Sequence, residues 1–150
     1  MSVRVVRLRR RSPRFDAYVA MRRALWPMPK AMCAREAAET LARRKWAVFV
    51  AIDGATTIGF CEVSLKEYAN GADHSPVGFL EGWFVDANRR KQGVGGALVE
   101  AAGRWARSRG CRELCSDTEV ERTHSIAAHE RLGFREAERV VCFVKTLRRP

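Results

Sequence analysis

Nowhere in the 150 residues is there an apolar run near the roughly 18 residues that a membrane-spanning helix needs. No apolar signal core follows the N-terminal arginines either: after Arg9, Arg10 and Arg11 come Ser12, Pro13 and Arg14. The chain therefore reads as cytoplasmic and unprocessed, with no membrane partner. The five cysteines (Cys33, Cys61, Cys111, Cys115 and Cys142) form an odd set with no CxxC pair. Zinc sites use tight Cys or His pairs about two to four residues apart. Cys111 and Cys115 are answered by no second pair, and His124 and His129 do not complete one. No metal is expected, and the cysteines read as reduced, mostly buried thiols. The Walker spacing and the GxGxxG spacing are missing as well, which argues against a P-loop or a dinucleotide-binding fold. With no internal repeat and no linker, the expectation is one domain over residues 1–150, long enough to bury its own core.

What the sequence has in excess is positive charge: 28 Lys and Arg against 17 Asp and Glu, a formal net charge of +11. Such a balance raises a polyanion as partner. Yet 23 of the 28 are Arg, scattered along the whole chain. Only the stretch from Arg4 to Arg14 is concentrated, and it reads as a solvated strand edge and turn. A nucleic-acid-binding module would also need a recognition helix or an aromatic-basic platform. Neither is legible, so nucleic acid is not an expected partner.

Apolar periodicity divides the chain into short elements. Val3 to Leu8 predicts a strand, and Ser12-Pro13 the start of a helix that Pro27 ends. A second helix is expected from about Cys33 to Arg44. Ala47 to Ile52 and Thr57 to Leu65 form two strands around the hairpin signal Asp53-Gly54. Tyr68 to Pro76 is a loop, Val77 to Val85 a strand, and Val94 to Arg109 a helix stopped by Gly110. Arg112 to Asp117, Ser125 to Leu132 and Val140 to Leu147 follow as strand, helix and final strand. Hairpin strands first and helix-connected strands afterwards predict an α/β domain, with a mixed central sheet covered by helices on both faces.

The chemistry lies where the strand ending at Val85 meets the next helix, in Asp86-Ala87-Asn88-Arg89-Arg90-Lys91-Gln92-Gly93-Val94-Gly95-Gly96. Closely spaced glycines before a helix expose successive backbone N–H groups, which bind phosphate oxygens together with the helix dipole. Arg89, Arg90 and Lys91 add mobile positive charge around the same anion. The spacing Arg90-x-x-Gly93-x-Gly95 resembles the acetyl-CoA pyrophosphate loop of the GNAT superfamily of N-acetyltransferases. Further on, His129-Glu130-Arg131-Leu132-Gly133-Phe134 resembles that family's Y-x-x-x-G-F segment, with His129 in place of the tyrosine.

The resemblance implies a GNAT fold, acetyl-CoA as cosubstrate, and cofactor contacts from Trp83, Phe84, Val85, Arg90, Lys91, Gln92, Gly93, Val94, Gly95, Gly96 and His129. A backbone N–H near Trp83 or Phe84 would stabilise the oxyanion. His129 is a candidate acid for the departing thiolate, since imidazole ionises near neutral pH; a packing role beside the cofactor is its alternative. An amine acceptor is mostly protonated at pH 7, so a carboxylate must take its proton, directly or through water.

Several segments resemble one branch of that family, the aminoglycoside 6′-N-acetyltransferases: Leu25-Trp26-Pro27, Tyr68-x-Asn70-Gly71, Ser75-Pro76-Val77-x-Phe79-Leu80-Glu81-Gly82, Ser116-Asp117-Thr118, and Gly133-Phe134 followed by Glu136 to Val140. By that resemblance Glu81 and Asp117 contact the substrate and help deprotonate the amine. An acidic pocket for a polycation would draw on Glu81, Asp117 and Glu138, with Glu39 or Glu36 on the second helix. Trp26 and Tyr68 would face the sugar rings. The sequence departs from the pattern at Met28, Pro29 and Lys30, where relatives often carry a histidine, and at Phe143, where some carry a tyrosine. A protein N-terminus, a lysine or a polyamine is the rival acceptor within the same fold. Dimers are common among such relatives, so the resemblance implies a homodimer.

Overall fold

Alternation in β1 (Val3–Arg7) sends Val6 and the following Leu8 to one side of a sheet and Val5 and Arg7 to the other, while Arg4, near the start of the strand, is exposed. The computed structural model describes residues 2–150, which form two compact units, one ending at Asp117 and one starting at Thr118.

In the first unit, β1 is followed by α1 (Phe15–Leu25), α2 (Lys30–Ala42), β2 (Trp46–Asp53), β3 (Thr56–Lys66), β4 (Val77–Val85), a single 3₁₀ turn at Ala87–Arg89, α3 (Val94–Ser108) and β5 (Leu114–Ser116). The sheet order is β1-β2-β3-β4-β5. The first four strands are antiparallel; β5 returns parallel to β4 after the α3 crossover, which is the connection a parallel pair requires. Gly54, at φ 59°, turns the hairpin between β2 and β3 as its Asp-Gly signal predicts. The first helix begins at Phe15, slightly later than Ser12-Pro13 suggests, because the Ser12 hydroxyl accepts the Arg14 N–H at 3.1 Å and closes a turn ahead of it.

Helices cover both faces of the sheet. Tyr18, Val19 and Met21 of α1 and Cys33 and Ala37 of α2 pack on Val48, Val50, Ile52 and Phe60. The Tyr18 and Phe60 rings meet edge to face at 5.3 Å. On the opposite face α3 buries Val94, Leu98, Ala101 and Trp105 of the expected apolar stripe, with Ala102 beside them, while Ala97 of that stripe is half-buried. Its Leu98 carbonyl lies 3.5 Å from the Cys61 thiol, which points away from Phe60 as successive strand residues must. Burial of a side chain such as fully enclosed Phe60 contributes about 1.5–3 kcal/mol.

The β3–β4 ladder contains an irregularity that bears on function. Glu62 pairs with Gly82 and Val63 with Leu80, so Glu81 is an extra residue, a β-bulge.

The second unit holds α4 (Thr123–Arg131), closed by a turn in which Gly133 adopts φ 89° and the Phe134 N–H returns to the His129 carbonyl at 3.1 Å. The final strand expected at Val140–Leu147 is not formed: residues 135–150 adopt no helix or strand. Val141 is 77%, Phe143 93% and Val144 95% exposed. A strand exists only with a ladder partner, and among the described residues this segment has none. Also among the described residues, no helix is long and apolar enough to cross a membrane.

Candidate active site

β4 delivers the chain into the glycine turn at the end of the sheet where β2 closes. The Asp86 N–H bonds the Ile58 carbonyl at 2.9 Å, and Arg89 forms an ion pair with Asp53 at 2.6 Å. Arg89 is thus a strut between the turn and β2, not the mobile charge expected from its neighbours in sequence. Arg90 donates from Nε to the Val85 carbonyl at 2.9 Å, its guanidinium 5.8 Å from the Phe84 ring, whereas Lys91 is exposed. Lys91 and Gly93 both take positive φ, 59° and 83°, and turn the backbone into α3.

Gly93 is the N-cap of α3, with no capping side chain and no acidic residue in the first turn. The first intrahelical bond runs from the Ala97 N–H to the Gly93 carbonyl at 3.0 Å. The N–H groups before it, at Gly93, Val94, Gly95 and Gly96, have no acceptor within the helix. They form a ready site for an oxyanion at the positive end of the helix. Gly95 has a second reason to be glycine, because a Cβ there would stand 2.8 Å from Cζ2 of Trp83. The helix start is therefore laid directly on the indole that β4 presents to this face, and Gln92 is tied back to the Asn88 carbonyl at 3.3 Å.

The bulge turns Glu81 onto the sheet face that carries Glu62, Ser64 and Lys66. Its Oε1 accepts the Ser64 hydroxyl at 2.7 Å and lies 3.3 Å from the Lys66 ammonium, with its side chain 21% exposed. Lys66 in turn stands 3.7 Å from the centroid of the Phe79 ring. The adjoining Gly82 is covered by Trp26, whose Cη2 would be 2.2 Å from a Cβ at that position. Trp26 ends α1 through an N–H bond to the Arg22 carbonyl at 2.8 Å, and its ring meets Phe60 edge to face at 6.2 Å. Trp26 and Glu81, far apart in sequence, thus become neighbours.

Asp117 follows directly on the last β4–β5 pair, Leu80 with Ser116, so it and Glu81 each stand one residue past the end of that ladder. Asp117 is exposed. Beyond that point β4 continues through Trp83, Phe84 and Val85 without β5 beside it. Tyr68 is 71% exposed on the loop before β4, its hydroxyl bonded to the Asn70 side-chain oxygen at 3.1 Å. Glu113 pins that loop: its Oε1 accepts the backbone N–H groups of Asp73 and His74, at 2.9 and 2.7 Å, and the His74 ring nitrogen at 2.9 Å. Of the two carboxylates proposed on α2, Glu36 is already paired with Arg22 at 3.1 Å, and Glu39 is exposed.

In the second unit His129 is half-buried; its Nδ1 lies 2.7 Å from the Ser125 carbonyl, and its ring stacks edge to face on Phe134 at 5.3 Å. A carbonyl accepts only, so the proton of this ring pair sits on Nδ1, and Nε2 is the other ring nitrogen. Glu138 is exposed. Sequence reading missed Ser64 and Lys66, the partners of Glu81, although Glu62, Ser64 and Lys66 alternate with Cys61, Val63 and Leu65 and so declare a polar strand face.

A shallow cavity of about 250 Å³, lined in part by Arg7, Arg9, Arg10 and Trp46, opens at the end of the sheet opposite the glycine turn.

A mixed sheet with α3 starting uncapped at a glycine turn, beside a bulged strand that presents a carboxylate, is the frame of an N-acetyltransferase, and the chain belongs to the Acetyltransferase (GNAT) family, whose profile matches residues 16–134. Among curated relatives it is 47% identical, over 130 residues, to an aminoglycoside N(6′)-acetyltransferase type 1 of Stenotrophomonas maltophilia, with 85% of this chain and 84% of the relative covered. It is 41% identical to the protein of that name in Salmonella typhimurium, with 87% and 91% covered. The fold is the GNAT fold expected from the sequence. Superposition on AAC(6′)-Iy in complex with the bisubstrate analogue CoA-S-monomethyl-acetylneamine gives a TM-score of 0.92 at 36% identity, over 98% of this chain and 100% of that one. AAC(6′)-Ih from Acinetobacter baumannii matches with the same TM-score at 31% identity, over 97% of this chain and 99% of that one.

Proposed function

We propose that residues 1–150 act as one acetyltransferase domain that transfers acetyl from acetyl-CoA to the 6′-amine of an aminoglycoside, by direct attack in a ternary complex, and so protects the cell from that antibiotic. The observation that carries this reading is the bulge of β4, which turns the Glu81 carboxylate out next to Gly82, the residue the Trp26 indole covers, on the same strand that leads into the uncapped start of α3. The names shared by the curated relatives support the acceptor, and none of them points to a protein N-terminus, a lysine or a nucleic acid.

Acetyl-CoA brings an activated thioester; the chain supplies grip, orientation and proton transfer. Its diphosphate is held by the N–H groups from Gly93 to Gly96, helped by Arg90, Lys91 and Gln92. The backbone of Trp83, Phe84 and Val85 lines the arm that follows and offers an N–H to the developing oxyanion. Glu81 accepts the amine proton, directly or through a water, and Asp117 is the second carboxylate at the reacting nitrogen. Trp26, Tyr68, Glu39 and Glu138 receive the rest of the polycation. His129, its Nδ1–H held by the Ser125 carbonyl, acts as the imidazolium, giving the Nε2 proton to the departing thiolate and becoming neutral. No step calls for a metal, and the remaining acceleration is positional.

The working form is a homodimer, a reading supported by the uncovered apolar side chains of Val141, Phe143, Val144 and Leu147. Free thiols at all five cysteines, three of them buried, support a reducing compartment, the cytoplasm.

Growth of cells expressing the chain, with and without kanamycin or tobramycin, tests the acceptor. Protection is expected, and Asp117→Ala abolishes it. Absence of protection, with purified protein acetylating a polyamine instead, would transfer the reading to that rival acceptor.

A further inference from the structure

Among the described residues, the buried charged side chains are Glu62, 1% exposed, and Arg22, 8% exposed. Both Tyr18 and Arg22 bond the same oxygen of Glu62, the hydroxyl as a short donor and the Arg22 Nε at 2.6 Å. Arg22 extends its Nη1 to Glu36 at 3.1 Å. Burial alone would lower the Arg22 pKa, but its hydrogen bond to Glu62 and the charge there outweigh the loss of water and raise it.

Taking two charges out of water costs several kcal/mol per ion, and well-packed apolar side chains of similar volume fill such a place as stably or more so. The pair is therefore poorly explained as a source of stability. What it does supply is direction. The Arg22 guanidinium carbon stands 4.9 Å from the centroid of the Trp26 ring, on one side of the indole. Phe60 meets the ring edge to face, and Gly82 lies beneath it with no room for a Cβ. Gly82 is also the register partner of Glu62 and the residue after Glu81. Four contacts in sequence thus join a buried carboxylate to the surface beside the proposed base: Glu62 to Arg22, Arg22 to Trp26, Trp26 to Gly82, and Gly82 to Glu81.

We propose that Glu62 is a positioning residue for the acceptor side of the reaction: acting through Arg22, it holds the Trp26 indole against Gly82 and fixes the wall beside Glu81 on which a polycationic acceptor rests. This rests on the reading of Trp26 and Glu81 as acceptor-side groups given above. Glu62 touches neither substrate. Its removal acts on how well the acceptor binds, and leaves the opposite face of the sheet, where α3 starts, as it was.

Steady-state kinetics with tobramycin and acetyl-CoA test it in four variants: Glu62→Gln, the charge-free pair Arg22→Met/Glu62→Leu, Trp26→Ala, and Trp26→Ala/Glu62→Gln. A misplaced wall raises the tobramycin KM roughly tenfold with a smaller change in kcat. The acetyl-CoA KM stays at the wild-type value. Trp26→Ala alone gives the same rise, and adding Glu62→Gln to it gives no further one, because the two act through one contact. The charge-free pair covers the case in which Glu62→Gln unfolds, since it leaves no buried ion unpaired. A wild-type tobramycin KM in a folded Glu62→Gln or in the folded pair variant overturns the proposal and leaves acetyl transfer intact. An unchanged KM in Trp26→Ala removes the wall itself, and with it the role given to Glu62. If the wild-type chain acetylates no aminoglycoside, the failure lies with the proposed function.

Discussion

A carboxylate that is to take a proton from an amine must be held in place without being buried. Glu81 meets both requirements through Ser64 and Lys66: a hydroxyl bond at 2.7 Å and an ammonium at 3.3 Å fix its direction, and the side chain keeps 21% exposure. Glu81→Gln retains the shape and the Ser64 bond but accepts no proton, so kcat/KM for the acceptor falls by about 10²–10⁴, with acetyl-CoA binding by calorimetry unaltered. Ser64→Ala removes one neutral hydrogen bond worth about 0.5–1.5 kcal/mol and lowers the same ratio far less. If both variants lose activity equally, Glu81 is a structural partner of Ser64 and not the base. Little of this arrangement is legible from residues one at a time. Glu81 stands out in the sequence only by resemblance, because its orientation depends on a bulge, and a bulge is a property of how two strands pair. The pairing of Arg22 with Glu62 is not legible for the same reason: 40 positions separate them.

Elements with a strong local signature form where the sequence predicts them. The run from Val77 to Val85 is bounded by a polar loop and the glycine turn, and the strand has those same limits. For α3 the periodic stripe and Gly110 set both ends, and Gly110 adopts φ 87° where the helix stops. What the period could not tell was why Gly95 is glycine, since the Trp83 indole that occupies its Cβ space comes from another element. Gly95→Ala must push that indole or lift the first turn. The acetyl-CoA KM then rises roughly tenfold while the fold persists, by thermal melting. An unchanged KM would mean that this end of α3 does not grip the donor. The loop before β4 behaves differently, because Glu113 pins it. Hydrogen bonds, first that of the His74 side chain, hold the Glu113 carboxyl below the usual carboxylate range. A depressed acid contributes above its unfolded pKa and ceases to as pH falls through the lowered folded value. The amide resonances of Asp73 and His74, followed by NMR, therefore carry an acid-pH transition from Glu113 that is missing in Glu113→Gln.

For the molecule as a whole, the informative departure is the segment 140–147, where period and composition predict a strand and none forms. Local propensity is sufficient to make the segment extended and apolar, but a strand also needs a neighbour, and in one chain the described residues provide no ladder for it. Leaving Phe143 and Val144 more than nine-tenths exposed is costly unless a second copy covers them. Two chains of net charge +11 repel one another, so a dimer held by this segment grows stronger as salt screens that repulsion. Cys142 lies inside the segment and is exposed in the single chain, which makes it a reporter. Its alkylation by iodoacetamide, followed by mass spectrometry, slows as protein concentration and salt rise. Cys61, whose thiol pKa burial raises, stays unmodified throughout. Phe143→Asp weakens the association, returns Cys142 to a rate independent of concentration, and shifts the protein to monomer in sedimentation. A concentration-independent rate in the unmodified chain would mean that no second copy covers the segment, and the homodimer would go with it. A dimer that forms while Cys142 still reacts freely would place the contact elsewhere on the surface.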